Sequence, residues 1–521
     1  MRGVRRGLVV CLAMTGGAGP AFAHAFGTPY APPVPLAAFL AGAAVVVALS
    51  FVVMALALRP GHSDGYPRFD LMRLRPVAAL YRSPVAAIVR AAAAGLFLAL
   101  VSVVFIGAQD TLRNPLPTAV WVVTWVGLVY AAAALGEVWT LVNPWPTLFA
   151  WGAALAGRAG LAAPAPRPYP GWLGAWPAVA FLLVFGWMEM VWEGGERPAT
   201  LATVILAYGT LTLAGMAVFG REVWLARGEF LTMVFALVGR FAPLAIGVAD
   251  GRACRACASP ECAEVSESCL GCPAYRARAP AAAIRWWLRP PAVGLVSRAP
   301  LSASMAAFAV VVLANVSFDG FRETPAWAAL LDAAARSQAL RAPLLALQGA
   351  GVDLLALFET LGLVGAAGLF FAAFAVVAWT SGRIAGRGEP WAVLAGRYVL
   401  SLLPIAIAYH VAHYLSFLLL AGQLVVPLAG DPLGLGWDLF GSATRRLATE
   451  VVSARMVWYV AVPAVVLGHV AAVAVAHIEA LRAYGNAAAA RLSQLPLVAL
   501  MVGYTMTSLW ILAQPVVATA D

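Results

Sequence analysis

Long apolar stretches separated by short polar loops make up most of the chain from residue 35 onward. Each stretch is about 20 residues long, which is the length that crosses the hydrocarbon core of a bilayer as an α-helix. Apolar and polar residues do not alternate within the stretches, so the pattern favours helices over a membrane β-barrel. It predicts an all-α polytopic membrane protein with about ten transmembrane helices, at residues 35–58, 87–108, 118–136, 176–192, 199–219, 300–317, 356–380, 396–421, 456–478 and 494–516.

Two other apolar segments do not fit a simple crossing. Residues 229–247 form an eleventh stretch, but Arg240 and Pro243 interrupt it. Residues 143–155 begin with Asn-Pro-Trp-Pro, which is typical of an interfacial or re-entrant segment. We therefore expect residues 143–155 to form an interfacial or re-entrant segment, and we expect that 229–247 does not cross fully.

Composition agrees with a membrane protein and excludes several functions. Hydrophobic residues make up 62% of the 521 residues and charged residues only 11%, and the mean hydropathy is +0.85. A water-soluble globular enzyme and a disordered chain are both excluded by this balance. All 34 basic residues are arginines, so a P-loop lysine and a Schiff-base lysine are excluded as well. The lipid bilayer is the expected partner, and no nucleic-acid partner is expected.

The first 23 residues have the layout of a secretory signal peptide. Arginines at 2–6 precede an apolar stretch at 7–14, and Ala21-Phe22-Ala23 forms an A-x-A cleavage site. An uncleaved anchor is the alternative. Cleavage would leave His24 as the first residue, and its α-amine and imidazole together suit Cu(II).

Arginine positions predict the orientation in the membrane. If residue 24 starts outside, the cytoplasmic loops hold 21 arginines and the outer loops hold 8. This asymmetry predicts a multi-pass membrane protein whose mature N-terminus lies on the outer side. The chain then divides into a signal peptide (1–23), helices 1–5 with the re-entrant segment (24–249), a cytoplasmic Cys-rich loop (250–299) and helices 6–10 (300–521).

Five of the six cysteines fall within nineteen residues of the predicted cytoplasmic loop. Two C-x2-C pairs allow thiolates to hold one tetrahedral ion, and thiolate ligands favour Zn²⁺ or an iron–sulfur cluster. The cytoplasm disfavours disulfides, so a disulfide or redox thiol pair would require this loop to lie outside. The predicted ligands are Cys254, Cys257, Cys262, Cys269 and Cys272.

Histidines inside the predicted helices are candidates for metal ligands. His410 and His413 are three residues apart on one helical face, and His469 on the next helix falls at a similar depth to His410. Three imidazoles near one depth suit Cu, Zn or an axial pair for haem. Interhelical hydrogen bonding by neutral histidines is the alternative. His477 falls near the cytoplasmic edge.

Acidic residues cluster toward the predicted outer side. Glu189 lies among Trp and Met residues near the outer end of its helix, and Asp319 lies just past the end of another. Such carboxyls are candidates for acid–base catalysis or for metal binding. The alternatives are a helix-end carboxylate that reaches headgroup water and an ion-paired loop of Asp319, Arg322 and Glu323. We predict Glu189, Asp319 and His413 as the catalytic residues.

A series of short motifs in a fixed order runs through residues 24–516. They are His24-Ala25, Arg113-Asn114-Pro115, Asn143-Pro144-Trp145, Phe219-Gly220-Arg221-Glu222, Gly239-Arg240-Phe241-Ala242-Pro243, Ser317-Phe318-Asp319-Gly320, Ala412-His413-Tyr414, Asp431-Pro432-Leu433, Gly436-Trp437-Asp438 and Gly468-His469-Val470. In this organisation the chain resembles a family of bacterial polytopic membrane proteins commonly labelled fenitrothion hydrolase. The resemblance implies hydrolysis of an apolar aryl organophosphate triester. Together with the predicted orientation, it implies a protein of the bacterial inner (cytoplasmic) membrane whose mature N-terminus is periplasmic. The Cys-rich loop is not a recognised feature of that family.

Three functions compete at this point. The first is a metal-dependent membrane hydrolase of aryl phosphotriesters, in which metal ions activate water. The second is a copper- or metal-handling membrane protein with His24 at the entrance and the buried histidines along the path. The third is a redox membrane protein with haem at the histidines and a cluster in the Cys-rich loop. The expected small partner is accordingly an apolar substrate or a metal ion.

Overall fold

The fold of the chain, in a computed structural model, is a bundle of long apolar helices. The structure describes residues 30–31, 33–58, 66–161, 165–248, 283–296, 299–386, 390–442, 445 and 447–514. Within these ranges, ten helices are long and apolar enough to cross a membrane, which confirms the predicted all-α polytopic fold. They are α1 (Leu36–Ala57), α3 (Val85–Ile106), α4 (Pro115–Leu135), α7 (Gly171–Met190), α8 (Pro198–Phe219), α11 (Ala303–Arg322), α14 (Leu354–Ile384), α15 (Trp391–Gly430), α16 (Ala454–Tyr484) and α17 (Ala487–Ala513).

Shorter helices connect the long ones. Residues Thr118–Gly127 within α4 adopt π-helical geometry. The short helices are α2 (Arg75–Arg82), α5 (Trp139–Val142), α6 (Pro144–Arg158), α9 (Arg221–Arg227), α10 (Phe230–Phe241), α12 (Pro325–Arg336) and α13 (Gln338–Gly349).

Helix α11 is the centre of the bundle. In the apolar part of α11, 89% of the residues are buried, against 17% in α1 and α3 at the periphery. It packs against α7, α14 and α15. Ser302 caps the N-terminus of α11, because its side-chain oxygen accepts a hydrogen bond from the Met305 amide. Any polar group on α11 is therefore enclosed by protein as well as by the surrounding bilayer.

Helix α11 also extends further than the hydropathy pattern predicts. The pattern ends the span at residue 317, whereas the helix continues to Arg322. This extension places Asp319 and Arg322 inside the helix instead of in a loop. The difference has a physical reason, because both side chains find charged partners on neighbouring helices and the helix can continue past them.

A close crossing joins α15 to α16. A side chain at Gly468 would place its Cβ 2.4 Å from Ala408 Cβ and 2.7 Å from the Pro404 carbonyl oxygen. Only a glycine permits this approach, which is the way small residues allow membrane helices to pack closely. The crossing fixes His469 beside the helix that carries His410 and His413.

The apolar stretch at 229–247 forms α10 followed by a β-strand. Helix α10 has 12 residues and is about 18 Å long, which is short of the roughly 30 Å hydrocarbon core. The strand is β2 (Leu244–Val248). In the described residues this segment therefore does not form a helix long enough to span a bilayer.

A buried polar network begins helix α10. The Glu229 carboxylate accepts hydrogen bonds from Tyr208 Oη (2.5 Å), the Leu231 amide (3.1 Å) and the amide and hydroxyl of Thr232. Thr232 Oγ1 in turn accepts from Trp139 Nε1 and Asn143 Nδ2, each at 3.0 Å. Burial raises the pKa of Glu229, although the hydrogen bonds from Thr232 and Tyr208 act in the opposite direction.

A small antiparallel sheet lies beyond α10, in the order β1-β3-β2. Strand β1 is Phe69–Asp70 and strand β3 is Ile284–Leu288. Val248 of β2 pairs with Ile284 of β3, so the two strands bring together the ends of the segment that holds the cysteines. Arg285 on β3 forms an ion pair with Asp70 on β1 at 3.4 Å. The sequence pattern did not predict this sheet.

Candidate active site

Five polar side chains from three membrane-spanning helices meet at one end of the bundle. Glu189 comes from α7, Asp319 and Arg322 come from α11, and His413 and Tyr414 come from α15. We call this group the acid–histidine cluster. Asp319 and Arg322 are three residues apart, so they share a face of α11. The sequence predicted three of the five members as catalytic.

Asp319 is the central acceptor of the cluster. Its Oδ2 lies 2.9 Å from His413 Nε2 and accepts a hydrogen bond from Tyr414 Oη at 2.6 Å. Its Oδ1 accepts from Arg322 Nε at 3.1 Å. Asp319 is 7% exposed and His413 is 5% exposed, so the carboxylate and the imidazole interact with little water between them. Screening by solvent is weak there, and the interaction is correspondingly strong.

Tyr414 lies between two carboxyl groups. Its hydroxyl oxygen is 2.6 Å from Asp319 Oδ2 and 3.0 Å from Glu189 Oε1. A phenol has one hydrogen to donate, so it cannot fully satisfy both acceptors. The ring also contacts both histidines of α15, with centroid distances of 4.7 Å to His410 and 4.7 Å to His413. Tyr414 therefore joins the acidic and imidazole groups into one network.

Arg322 supplies positive charge to the cluster. Besides Asp319, its guanidinium donates to the Met190 carbonyl oxygen at 2.8 Å, at the C-terminal end of α7. It also lies 3.7 Å from Glu359 and 3.6 Å from Glu323. An arginine at a helix C-terminus interacts favourably with the helix dipole and with the last free carbonyls. Arg322 thus holds α7 and α11 together while it partly neutralises the carboxylates.

The other histidines predicted as ligands have different surroundings. His410 packs against Trp125 (5.9 Å between ring centroids) and Tyr130 (6.0 Å) as well as Tyr414. His469 donates from Nδ1 to the Val465 carbonyl oxygen at 2.8 Å, and its ring lies 5.9 Å from Tyr504. His477 contacts the Gln494 side chain.

The sequence predicted His410, His413 and His469 as ligands of Cu, Zn or haem. In the part of the chain that the structure describes, no three His, Cys, Asp or Glu side chains are grouped so that they could hold a metal ion. Ligation of Cu, Zn or haem by these three histidines stays a prediction.

A second hydrogen-bonded pair adjoins the cluster on α11. Ser317 Oγ donates to the Leu313 carbonyl oxygen at 2.6 Å, so the Tyr504 hydroxyl, 2.5 Å away, donates to Ser317. Nearby, the Tyr409 hydroxyl would lie only 2.2 Å from a Cβ at Gly320. Glycine at 320 therefore makes room for a tyrosine hydroxyl one residue from Asp319.

Sequence reasoning missed two members of the cluster. In the sequence, Tyr414 appears only as part of the motif Ala412-His413-Tyr414, and Arg322 as part of an ion-paired loop. The available signal for Tyr414 was its position next to His413 on an apolar helix. For Arg322 it was the i, i+3 spacing from Asp319, which brings two opposite charges together only if the helix continues past residue 317.

Several predicted ligands lie outside the described residues. They are His24 and the five clustered cysteines, Cys254, Cys257, Cys262, Cys269 and Cys272. The predicted signal peptide at 1–23 also lies outside them. The zinc or iron–sulfur site, the copper site at the mature N-terminus and the cleavage after Ala23 therefore stay predictions.

Comparisons with protein-family models, with curated proteins and with solved structures find no match for this chain.

Proposed function

We propose that the protein is an integral membrane hydrolase that cleaves apolar aryl phosphotriesters, with His413 as the general base and Asp319 as the residue that orients it. The observation that carries this proposal is the 2.9 Å contact between His413 Nε2 and Asp319 Oδ2 on adjoining buried helices. A carboxylate in this position holds the imidazole in one orientation and stabilises the imidazolium that forms when the base accepts a proton.

The site's charge favours a neutral substrate. Glu189, Asp319, Glu323 and Glu359 lie on or beside the cluster, whereas Arg322 and His413 are its basic members. Anionic phosphate monoesters and diesters would be repelled by this excess of carboxylates. A triester carries no charge and partitions into the bilayer, from which it can approach a site enclosed by membrane helices. The family resemblance implies the same class of substrate.

The proposed reaction is an attack of water on phosphorus that displaces the aryloxide. His413 takes a proton from water while the water oxygen forms a bond to phosphorus. The bond between phosphorus and the aryl oxygen breaks, and the aryloxide leaves with the electron pair and takes the proton from the His413 imidazolium. The diester acid loses the second proton of the attacking water to bulk water, and the surrounding carboxylates favour release of the resulting anion. Glu189 and Tyr414 are placed to pass a proton within the network.

Turnover of a chromogenic aryl phosphotriester by the detergent-purified protein tests this proposal. We expect release of the phenol, and we expect His413→Gln to lower the rate by about 10²- to 10⁴-fold, the usual contribution of a general base. His477→Gln is a matched control, since it removes another buried histidine, which contacts the amide side chain of Gln494. Absence of turnover, or equal rates for the two variants, would refute the proposal.

We also propose an orientation: the protein lies in the bacterial cytoplasmic membrane with the acid–histidine cluster toward the periplasm. The excess of arginines in the alternate loops supports this orientation, because basic loops are retained in the cytoplasm. Reporter fusions test it. A reporter fused after residue 342, between α11 and α14, should be exported, and one after residue 388, between α14 and α15, should stay inside. The reverse pattern would overturn the orientation.

For the Cys-rich segment, we propose a zinc or iron–sulfur site. The two C-x2-C pairs support it, and the antiparallel pairing of β2 with β3 brings the ends of the segment together. Elemental analysis of the purified protein should find zinc or iron, which should be lost from a Cys254→Ser, Cys257→Ser variant. Metal-free wild-type protein would contradict the site. The copper-handling alternative depends on His24 and would require bound copper in the same analysis.

A further inference from the structure

Helices α12 and α13 form a helical hairpin at the same end of the bundle as the acid–histidine cluster. The hairpin, residues 325–349, connects the end of α11 at Arg322 to the start of α14 at Leu354. Helix α11 carries Asp319 and Arg322 of the cluster, and Glu359 of α14 lies 3.7 Å from the Arg322 guanidinium. Because each end of the hairpin leads into a helix long enough to cross a membrane, we expect the hairpin to lie near the bilayer surface.

The hairpin leaves its apolar side chains uncovered. No residue of α12 or α13 is buried. Leu330 is 55% exposed and Leu340 is 42% exposed, and Leu345 and Leu347 are exposed as well. Several exposed leucines within one hairpin are unfavourable in water and indicate a surface that contacts another apolar phase.

Three of the four leucines of helix α13 share one face. Leu340, Leu344 and Leu347 follow the i, i+4, i+7 spacing, whereas Leu345 lies outside this leucine face. At about 100° per residue, Gln338 lies on the opposite side of the same helix. This distribution is typical of a helix that lies flat at an interface, with one face in the acyl region and the other in water.

The charges of the hairpin fit phospholipid headgroups. Its charged residues are Asp332, Arg336 and Arg341. Asp332 and Arg336 pair with each other at 2.6 Å, which leaves Arg341 as the net charge. An arginine beside an apolar face can extend its guanidinium to lipid phosphates while its aliphatic part stays in the apolar region. An acidic or strongly basic protein partner would find little charge here to complement.

The hairpin is attached firmly to the helix of the cluster. The Trp327 ring packs edge-on against Phe318 at 5.4 Å and lies 6.1 Å from Phe321. Gly362 on α14 permits this packing, since a Cβ there would lie 2.7 Å from the Trp327 ring. Movement of the hairpin would therefore displace the turn of α11 that contains Asp319.

We propose that the hairpin 325–349 is a membrane-surface element whose leucine face inserts into the acyl chains of the adjacent phospholipid leaflet. The partner is the lipid surface itself, and the hairpin thereby fixes the outer turns of α11 and α14 relative to the bilayer. This inference is independent of the hydrolase activity, because it rests on the exposure and spacing of the hairpin residues.

Depth-dependent fluorescence quenching tests the proposal. An environment-sensitive fluorescent amino acid replaces Leu340 in one variant of the full-length protein and Gln338 in another. Both positions are exposed, so the bundle should fold in each variant. The proteins are reconstituted into phosphatidylcholine–phosphatidylglycerol vesicles that contain lipids with brominated acyl chains, and aqueous iodide is added to a parallel sample without bromine.

We expect the fluorophore at 340 to be quenched several-fold more by brominated lipid than the fluorophore at 338, and iodide to quench position 338 preferentially. Quenching of position 340 by iodide, with no effect of brominated lipid, would place the leucine face in water and overturn the proposal. Protection of position 340 from both quenchers would also overturn it, since a protein surface would then cover the hairpin.

Discussion

Replacing Asp319 with Asn removes the central charge of the acid–histidine cluster and leaves its shape. The carboxylate accepts from His413 and Tyr414 through Oδ2 and from Arg322 through Oδ1. An amide has only one oxygen, so its NH2 group must face either Arg322 or the His413–Tyr414 pair. If it faces Arg322, two donors oppose each other. If it faces the pair, the charge-assisted bonds of that pair are lost.

The cost of Asp319→Asn can be estimated from these contacts. Breaking one side of a buried ion pair costs about 3–5 kcal/mol, and Arg322 keeps Glu323 and Glu359 within 4 Å, so we expect a loss near the lower value of about 3 kcal/mol. Asp332→Asn is the matched control. The Asp332 carboxylate lies 2.6 Å from the Arg336 guanidinium, closer than Asp319 lies to Arg322. Both side chains of the control pair are exposed, so the loss should be below about 1 kcal/mol.

Unfolding of both variants in the same detergent, by heat or by denaturant titration, measures this difference. We expect Asp319→Asn to unfold at a clearly lower temperature than the wild type and Asp332→Asn to unfold close to it. Equal stability of the two variants would refute the conclusion that burial makes the Asp319 contacts strong.

Two further predictions concern packing and pH. Gly468→Ala should lower the free energy of unfolding by about 1–3 kcal/mol, because its Cβ would lie 2.4 Å from Ala408 Cβ. Gly503→Ala is the control, since its Cβ would have no atom within 4 Å, and it should be neutral or slightly stabilising. Unfolding measurements on both variants check this, and a neutral Gly468→Ala would contradict the close crossing of α15 and α16. Burial raises the pKa of Glu229 in the folded protein, so the stability that this group contributes is present at acidic pH and is lost as pH rises through the raised pKa. The stability of the wild type relative to Glu229→Gln should therefore fall as pH rises above the ordinary carboxyl pKa of 4.5, and a difference that is constant or rises with pH would contradict it.

The number and position of the membrane helices could be predicted from the sequence because a bilayer leaves few alternatives. A run of about 20 apolar residues has to form a helix to satisfy its backbone hydrogen bonds. All ten predicted spans correspond to the ten long helices. The end of α11 was predicted too early, because a hydropathy pattern counts Asp319 and Arg322 as polar and has no information about their partners on α7, α14 and α15.

Parts of the site depended on rotation about the helix axes, which depth arithmetic does not provide. His410 and His469 were predicted at a similar depth on neighbouring helices. Their rings contact different aromatic residues, Tyr130 and Trp125 for the first and Tyr504 for the second. The rule that intramembrane charges mark a site did lead to Glu189, Asp319 and His413. Tyr414 has no charge, and its contacts with Glu189 and Asp319 depend on how the helices pack, although its position next to His413 was a signal in the sequence.

The short sheet was missed for a different reason. Strand β2 lies at the end of an apolar stretch, where its residues Leu244–Val248 continue the hydropathy of α10. Its partner β3 lies forty residues later, and the pairing of distant strands leaves no local pattern in the sequence.

The central claim is that His413 and Asp319 act as one catalytic unit within the membrane. A double-mutant cycle on aryl phosphotriester turnover tests it most directly, with the rates of His413→Gln, Asp319→Asn and the double variant compared in one detergent. Residues that act as a unit show strongly non-additive losses, so the double variant should be about as slow as His413→Gln alone. Losses that multiply, or a single variant that keeps the full rate, would contradict the claim.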